Sequence, residues 1–179
     1  VVYNQSSITG QQSDTTYESM VGNYDLYACL YDISSDVVSA ITKINDNDNR
    51  ADLKSFVSAY NDNAFIAWEV LSNNGHKRDI WFSNITYQGG DISLSEPELL
   101  TTEAGNNYEV NIHQVGEDEA YALWINDADG DPQTLNNRIL TSEWNGATWS
   151  TPAVASDGYP GFVYRELHSD MNANNGLMA

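Results

Sequence analysis

The sequence is poor in cysteine and in basic residues. It has one cysteine, Cys29, and seven lysines and arginines against 26 aspartates and glutamates, which gives a formal net charge of −19. A single cysteine excludes an internal disulfide. The shortage of positive charge argues against binding to nucleic acid or to anionic membranes, because both need a basic surface. No apolar run approaches the ~20 residues of a membrane-spanning helix, so membrane insertion is not expected.

The excess of acidic residues has two explanations that composition leaves open. A hydrated acidic surface keeps a protein soluble in salt, and the small number of lysines is in keeping with this explanation. Alternatively, Asp-rich loops bind divalent cations. The acidic residues are spread along the chain, and 11% of all residues are aromatic. An acidic disordered tail is therefore not expected.

An internal repeat organises the chain. The segment AFIAW at residues 64–68 recurs 56 residues later as AYALW at residues 120–124, and the same step leads to residues 176–179. A period of this length is typical of repeat architectures. Between these segments lie further short apolar stretches, separated by Gly, Asn and Asp and without an amphipathic helix pattern. The sequence therefore predicts an all-β fold.

Each repeat contains four short predicted strands, which is typical of a β-propeller blade. We expect β-propeller blades of four antiparallel strands, about three of them in this chain. Residues 1–179 are expected to form a single partial propeller domain, with a loop insertion at 5–23 and repeats at approximately 24–70, 71–126 and 127–179. A propeller typically needs 4–8 blades. The ring is therefore expected to be incomplete, as a piece of a longer protein, or closed by another chain, as in a homodimer.

One hairpin resembles a known propeller motif. Residues 142–149 read SEWNGATW, which is similar to the Asp-box, Ser-x-Asp-x-Gly-x-Thr-Trp, of sialidase-like (BNR repeat) β-propellers. Four positions match the motif: Ser142, Gly146, Thr148 and Trp149. Trp144 stands where the family has its Asp. The resemblance implies a blade in which Gly146 adopts a positive φ and Trp149 packs the hairpin onto the blade. It implies no activity, because the Asp-box is structural in that family.

Sialidase chemistry itself is not expected. That family needs three arginines converging on the substrate carboxylate, together with a Tyr nucleophile paired with Glu. The sequence has only four arginines, and Arg78 and Arg138 precede strands that are expected at the blade edges. This chain alone cannot supply the arginine triad.

Two Asp-rich segments are candidate calcium sites, since Ca²⁺ takes six to eight oxygen ligands. They read NDADGD at residues 126–131 and NDNDNR at residues 45–50. The candidate ligands are Asp127, Asp129 and Asp131 in the first segment, and Asp46, Asp48 and Asp52 in and after the second. The first segment does not have EF-hand spacing, and it is open to a second interpretation as a polar turn, because Asp, Asn and Gly are favoured in turns. In the second segment, Arg50 could neutralise part of the charge instead of a metal.

The strands expected to line the central channel carry candidate ligand-binding residues. These are Tyr108, Glu109, Asn111, Tyr164, Arg165 and Glu166. His113 and His168 are expected at matching positions on the same strands. Such a group would bind a sugar by hydrogen bonding and stacking. In an enzyme, the catalytic residues would be Tyr164, Arg165, His113 and His168. Alternatively, both histidines are strand residues that form hydrogen bonds between blades.

These features lead to one expectation and two alternatives for function. We expect an extracellular or cell-surface propeller module that binds carbohydrate or a protein ligand. Carbohydrate is favoured by four possible stacking faces: Tyr108, Tyr159, Tyr164 and Trp144. One alternative is a polysaccharide-active enzyme, a lyase or glycosidase, with its site at the propeller axis. The other is a purely structural repeat of a large surface protein. Apart from Ca²⁺, no cofactor is expected.

Overall fold

The computed structural model describes residues 2–6, 24–45, 50–72, 77–89, 91–130, 137–156, 166–171 and 177–178, with the backbone alone for residues 2–6, 171 and 177–178. All regular structure in these residues is β-strand. The strands are β1 (Val2–Ser6), β2 (Tyr24–Ala28), β3 (Tyr31–Asp32), β4 (Val37–Val38), β5 (Thr42–Lys43), β6 (Ala51–Tyr60), β7 (Asn63–Leu71), β8 (Arg78–Gln88), β9 (Asp91–Leu94), β10 (Glu98–Leu99), β11 (Asn106–Gln114), β12 (Ala120–Asp127), β13 (Asn137–Trp144), β14 (Ala153–Ser156), β15 (Asp170–Met171) and β16 (Leu177–Met178).

The strands form antiparallel sheets that follow one another along the chain. The first sheet has the order β1-β2-β5, and β3 and β4 form a separate hairpin beside it in sequence. The second sheet has the order β10-β8-β7-β6, with β9 also paired to β8. The third sheet is the four-stranded array β11-β12-β13-β14, and β15 pairs with β16. Within the described residues none of these sheets closes on itself. The predicted all-β, antiparallel fold is confirmed.

The sheets stack face to face, and the central strand β7, which is largely apolar, has neighbours on both of its faces. Phe65 and Ala67 pack in one cluster with Ile112 and Trp124 of the third sheet. On the opposite face, Ile66, Trp68 and Val70 pack with Leu26 and Ile44 of the first sheet. Because both faces of β7 are covered, residues 65–71 are all buried, and the strand does not alternate between polar and apolar residues.

The third sheet is covered in the same way. Ala120, Ala122 and Trp124 of β12 face the second sheet, whereas Leu123 and Ile125 pack against Leu167 on the other side. The apolar runs that define the sequence repeat are therefore the middle strands of sheets that are buried on both faces.

The 56-residue period is also a spatial period. Three hydrogen bonds join residues that are 56 positions apart: two run from β11 to residues 167 and 169, and one joins β11 to β6. The backbone N–H of Gln114 donates to Ser58 Oγ at 2.9 Å. Asn111 Nδ2 donates to the Leu167 carbonyl at 2.9 Å. Residues at equivalent positions of successive repeats are therefore in contact, as expected when each repeat is a copy of its neighbour.

Two hairpins contain the same pair of hydrogen-bonded serines, which supports their equivalence. Ser83 Oγ donates to the Ser95 carbonyl at 2.8 Å, and Ser142 Oγ donates to the Ser150 carbonyl at 2.7 Å. In both hairpins the Oγ of the second serine accepts a hydrogen bond from the backbone N–H that follows the first serine. Ser142 is the first residue of the Asp-box-like hairpin.

Two boundaries differ from the sequence-based assignment. The second sheet begins near residue 51 and the third near residue 106. The predicted repeats have the right period, but their boundaries fall later, near the end of β7 in the second sheet and of β12 in the third. Gln5 and Ser6, placed in the predicted insertion, belong to β1 and pair with Asp25 and Tyr24. The rest of the predicted insertion, residues 7–23, lies outside the described residues.

Candidate functional site

A buried polar cluster lies at the end of the sheets where β6 and β11 begin. At its centre Glu69 of β7 is fully buried, and its Oε2 accepts a hydrogen bond from Arg78 Nη1 at 2.8 Å. Its Oε1 accepts the backbone N–H of Glu109 at 2.8 Å. Burial raises the pKa of Glu69, and the two hydrogen bonds and the Arg78 charge oppose that rise. Glu69 therefore connects the second sheet to the third.

Glu109 is held in an unusual backbone conformation. Its φ is +57°, and the β11–β12 register shifts between Tyr108 and Asn111. The β6–β7 register shifts at the corresponding place, between Asp52 and Ser55. Such bulges redirect side chains. Here the bulge presents the Glu109 carboxylate to Lys54, with which it forms an ion pair. The predicted ligand-binding residue Glu109 already has a partner in the protein.

Tyr108 is half-buried beside this cluster. Its hydroxyl accepts a hydrogen bond from Asn137 Nδ2 at 2.6 Å. Burial and the negative charge of Asp127 raise its pKa to about 12. The phenol therefore stays protonated at neutral pH, so Tyr108 offers a hydrogen-bonding or packing surface.

The predicted channel residues Asn111 and His113 connect β11 to residues 167–169. Asn111 is buried and bonds to Leu167, as described above. His113 Nε2 shares a hydrogen bond of 2.8 Å with Ser169 Oγ, and its ring meets Phe56 edge-on at 5.6 Å. Burial lowers the pKa of His113, against the effect of the Asp170 charge. His113 therefore forms a hydrogen bond to the segment at residues 166–170, which follows the third sheet in the chain.

The expected match between His113 and His168 is wrong. Ser169, and not His168, lies opposite His113. The His168 side chain is 89% exposed, and its Nε2 lies 3.8 Å from the exposed carboxylate of Glu166. Tyr164 and Arg165 lie outside the described residues, so the structure brings no complete catalytic group together.

The candidate calcium ligands are divided by burial. Asp52 is buried and accepts hydrogen bonds from Trp68 Nε1, at 2.8 Å, and from Asn45 Nδ2. Asp127 is also buried, whereas Asp129 is exposed in the following turn. In the part of the chain that the structure describes, no three His, Cys, Asp or Glu side chains converge as a metal site. Asp46, Asp48 and Asp131 lie outside that part.

A groove of about 590 Å³ lies at the opposite end of the sheets. We call it the turn groove, because three connections build it. Tyr60 and Asn61 come from the β6–β7 turn, residues 116–119 from the β11–β12 loop, and Trp144 and Asn145 from the end of β13. A side recess of about 260 Å³ adjoins it and shares Glu117, Asp118 and Trp144 with it. The charged residues that line these two spaces are all acidic: Glu117, Asp118 and Glu119.

Backbone hydrogen bonds fix the acidic loop. The N–H groups of Val115 and Gly116 both donate to the Glu119 carbonyl, at 3.0 and 3.2 Å. This leaves Glu117 and Asp118 exposed at the tip. Tyr121 donates its hydroxyl hydrogen to Glu119 Oε1 at 2.8 Å, which raises the pKa of Tyr121.

The Asp-box-like hairpin forms the opposite wall. Gly146 has a φ of +92°, as the resemblance implies, and a Cβ there would lie 2.9 Å from Asp118 Cβ. Asn145 Oδ1 accepts the N–H groups of Ala147 and Thr148, so the side chain after Trp144 organises the turn. Trp149 packs against the core as implied, and the Trp144 ring lies beside it, tilted by 55°, with ring centroids 5.6 Å apart.

Two buried acceptors line the side recess. Gln114 is 7% exposed, and its Nε2 donates to the Gly116 carbonyl at 3.1 Å. Its Oε1 is buried without a hydrogen-bond partner in the described structure, and the same holds for Asn84 Oδ1. Of the residues around the groove, the sequence pointed only to Trp144. The Glu-Asp-Glu run at residues 117–119, between two apolar strands, was the one further signal available.

Comparison of the chain with protein-family models, with curated proteins and with solved structures finds no match. Among the residues that the structure describes, no helix has the length and apolar character needed to cross a membrane.

Proposed function

We propose that the chain is an arc of β-propeller blades, similar to those of sialidase-like propellers, and that it is an extracellular or cell-surface carbohydrate-binding module. Stacked antiparallel sheets of three, five and four strands, contacts at the 56-residue period and the Asp-box-like hairpin support this architecture. Further blades of the same or another chain would complete the ring.

The turn groove is the observation that carries the binding proposal. Tyr60 is 40% exposed, and Trp144 lines the same groove. Aromatic faces beside amide and carboxylate oxygens match the chemistry of a sugar, which has an apolar ring face and a rim of hydroxyl donors. The groove is open and built by three connections, so it is suited to part of an extended chain of sugars.

Replacement of Tyr60 by Ala tests this proposal. Binding of oligosaccharides, cellulose- and chitin-derived tetrasaccharides among them, would be measured by calorimetry. We expect Tyr60→Ala to weaken binding at least about tenfold, because the stacking face is removed. Tyr87→Ala is the matched control, since Tyr87 is 43% exposed but does not line the groove. Equal affinities of the two variants would contradict the proposed site.

We do not extend the proposal to catalysis. His113 is bonded to Ser169, the His168 side chain is 89% exposed, and Tyr164 and Arg165 fall outside the described residues. In the buried polar cluster, Glu69 is fully buried, and the Glu109 carboxylate is paired with Lys54. These contacts describe a connection between sheets better than a site awaiting substrate.

A further inference from the structure

We propose that the turn groove selects amino sugars whose amine is free and protonated, over neutral or acidic sugars. The inference rests on the proposed carbohydrate-binding function and specifies the ligand class of the same site. A chain of glucosamine units is the simplest ligand of this kind.

The first argument is the charge of the walls. Glu117, Asp118 and Glu119 contribute three carboxylates, and none of the described lysines, arginines and histidines lines the groove or the side recess. A carboxylated or sulfated sugar would bring like charges together, which is unfavourable. An ammonium group would instead meet opposite charge from one loop whose backbone is already fixed by its own hydrogen bonds.

The second argument is independent of charge and comes from buried acceptors. Gln114, which lines the side recess, is only 7% exposed, and the hydrogen bond from its Nε2 to Gly116 leaves its buried Oε1 without a partner in the described structure. Asn84 also lines the recess, and its Oδ1 is a second buried acceptor without a partner there. Buried acceptors favour a ligand that brings hydrogen-bond donors. An ammonium group carries three donors and no acceptor.

The aromatic residues complete the match. Cations are attracted to the faces of Trp and Tyr rings, and the rings also accept the apolar face of a sugar. Trp144 lines both the groove and the recess, so it lies between Tyr60 on one side and the buried amides on the other. A sugar ring on the aromatic residues would place an amine substituent near the carboxylates and amide oxygens.

A pair of matched ligands tests the inference. Fully deacetylated and fully N-acetylated chitin tetrasaccharides differ in whether each nitrogen carries a charge. We expect the deacetylated form to bind the wild-type protein at least about tenfold more tightly, near pH 5.5, where its amines are protonated. We also expect this preference to shrink in about 0.5 M NaCl, because exposed charge pairs are screened. The salt titration requires no variant.

Two double variants locate the effect. Glu117→Gln with Asp118→Asn should weaken binding of the deacetylated ligand at least about tenfold, and should weaken it more than binding of the acetylated ligand. Glu96→Gln with Glu98→Gln removes the same number of charges from residues that do not line the groove, and should leave both affinities unchanged. On saturation with the deacetylated ligand, the side-chain NH₂ signals of Gln114 should shift in NMR spectra.

The outcomes are distinguishable. Equal binding of the two ligands would overturn the amino-sugar inference and leave the carbohydrate function standing. Binding of neither ligand, nor of any other oligosaccharide, would overturn the proposed function as well. If a short polylysine bound as tightly and lost affinity in the same double variant, the site would recognise a basic peptide, and the amino-sugar inference would be wrong.

Discussion

At the residue scale, the repeat supplies its own controls. Trp68 and Trp124 end equivalent apolar segments and are both fully buried, but their indole N–H groups differ. Trp68 Nε1 donates to buried Asp52, whereas Trp124 Nε1 has no hydrogen-bond partner among the described residues. The two sites therefore separate the contribution of a hydrogen bond from that of ring volume.

We predict that Trp68→Phe costs more stability than Trp124→Phe, by about 1–3 kcal/mol. Both substitutions remove similar volume from a packed core, but only the first deprives a buried carboxylate of a donor. Urea unfolding at neutral pH would measure the two free energies. Equal losses would mean that the Trp68–Asp52 hydrogen bond contributes nothing net to stability.

The histidines provide a second test at this scale. Burial holds the pKa of His113 below its ordinary value of 6.5, so the folded protein binds this proton less readily than the unfolded chain. The neutral ring makes its full contribution to the free energy of unfolding at pH values above its ordinary pKa. That contribution is lost as the pH falls toward and through the pKa of the folded state. Lowering the pH from about 7.5 to about 5 should therefore reduce the stability advantage of wild type over His113→Gln.

Denaturant unfolding at several pH values would check this dependence. Gln keeps a polar partner for Ser169 and does not titrate, so the comparison isolates the proton. His168→Gln, at a side chain that is 89% exposed, controls for the loss of an imidazole. A difference between wild type and His113→Gln that stays constant with pH would be evidence against the buried, neutral ring.

At the element scale, the sequence predicts best what depends on local pattern. The apolar runs of β7 and β12, the 56-residue spacing and the positive φ of Gly146 all follow from residue type and order. Each is dictated by neighbours in the chain or by repetition, so no long-range information is needed. The hairpin that ends with Trp149 was predicted for the same reason.

The elements that the sequence did not predict depend on contacts between sheets. The bulges in β6 and β11 have no residue signature, and they decide where Glu109 points. The match of His113 to His168 failed by one residue, because a contact between distant parts of the chain joins His113 to Ser169. The turn groove forms only because three connections lie close together in space, and their separation along the sequence does not predict this proximity.

At the scale of the whole molecule, charge is the dominant feature. A net charge of −19 over 179 residues destabilises the compact state through self-repulsion. In the described residues, basic side chains form only a few ion pairs, such as Arg78 with Glu69 and Lys43 with Asp25. Most acidic side chains therefore interact mainly with water and dissolved ions, and the ionic strength should affect folding strongly.

We predict that the thermal midpoint rises when NaCl is increased from about 20 mM to about 0.5 M, because screening shortens the range of the repulsion.

Calcium chloride at equal ionic strength separates the two explanations of acidity. We expect the same midpoint in both salts, since Asp127 is buried and Asp129 is exposed in the turn. A higher midpoint in calcium, removed by a chelator and by Asp129→Asn, would instead assign a cation to the 126–131 segment. A midpoint indifferent to NaCl would contradict the repulsion argument itself.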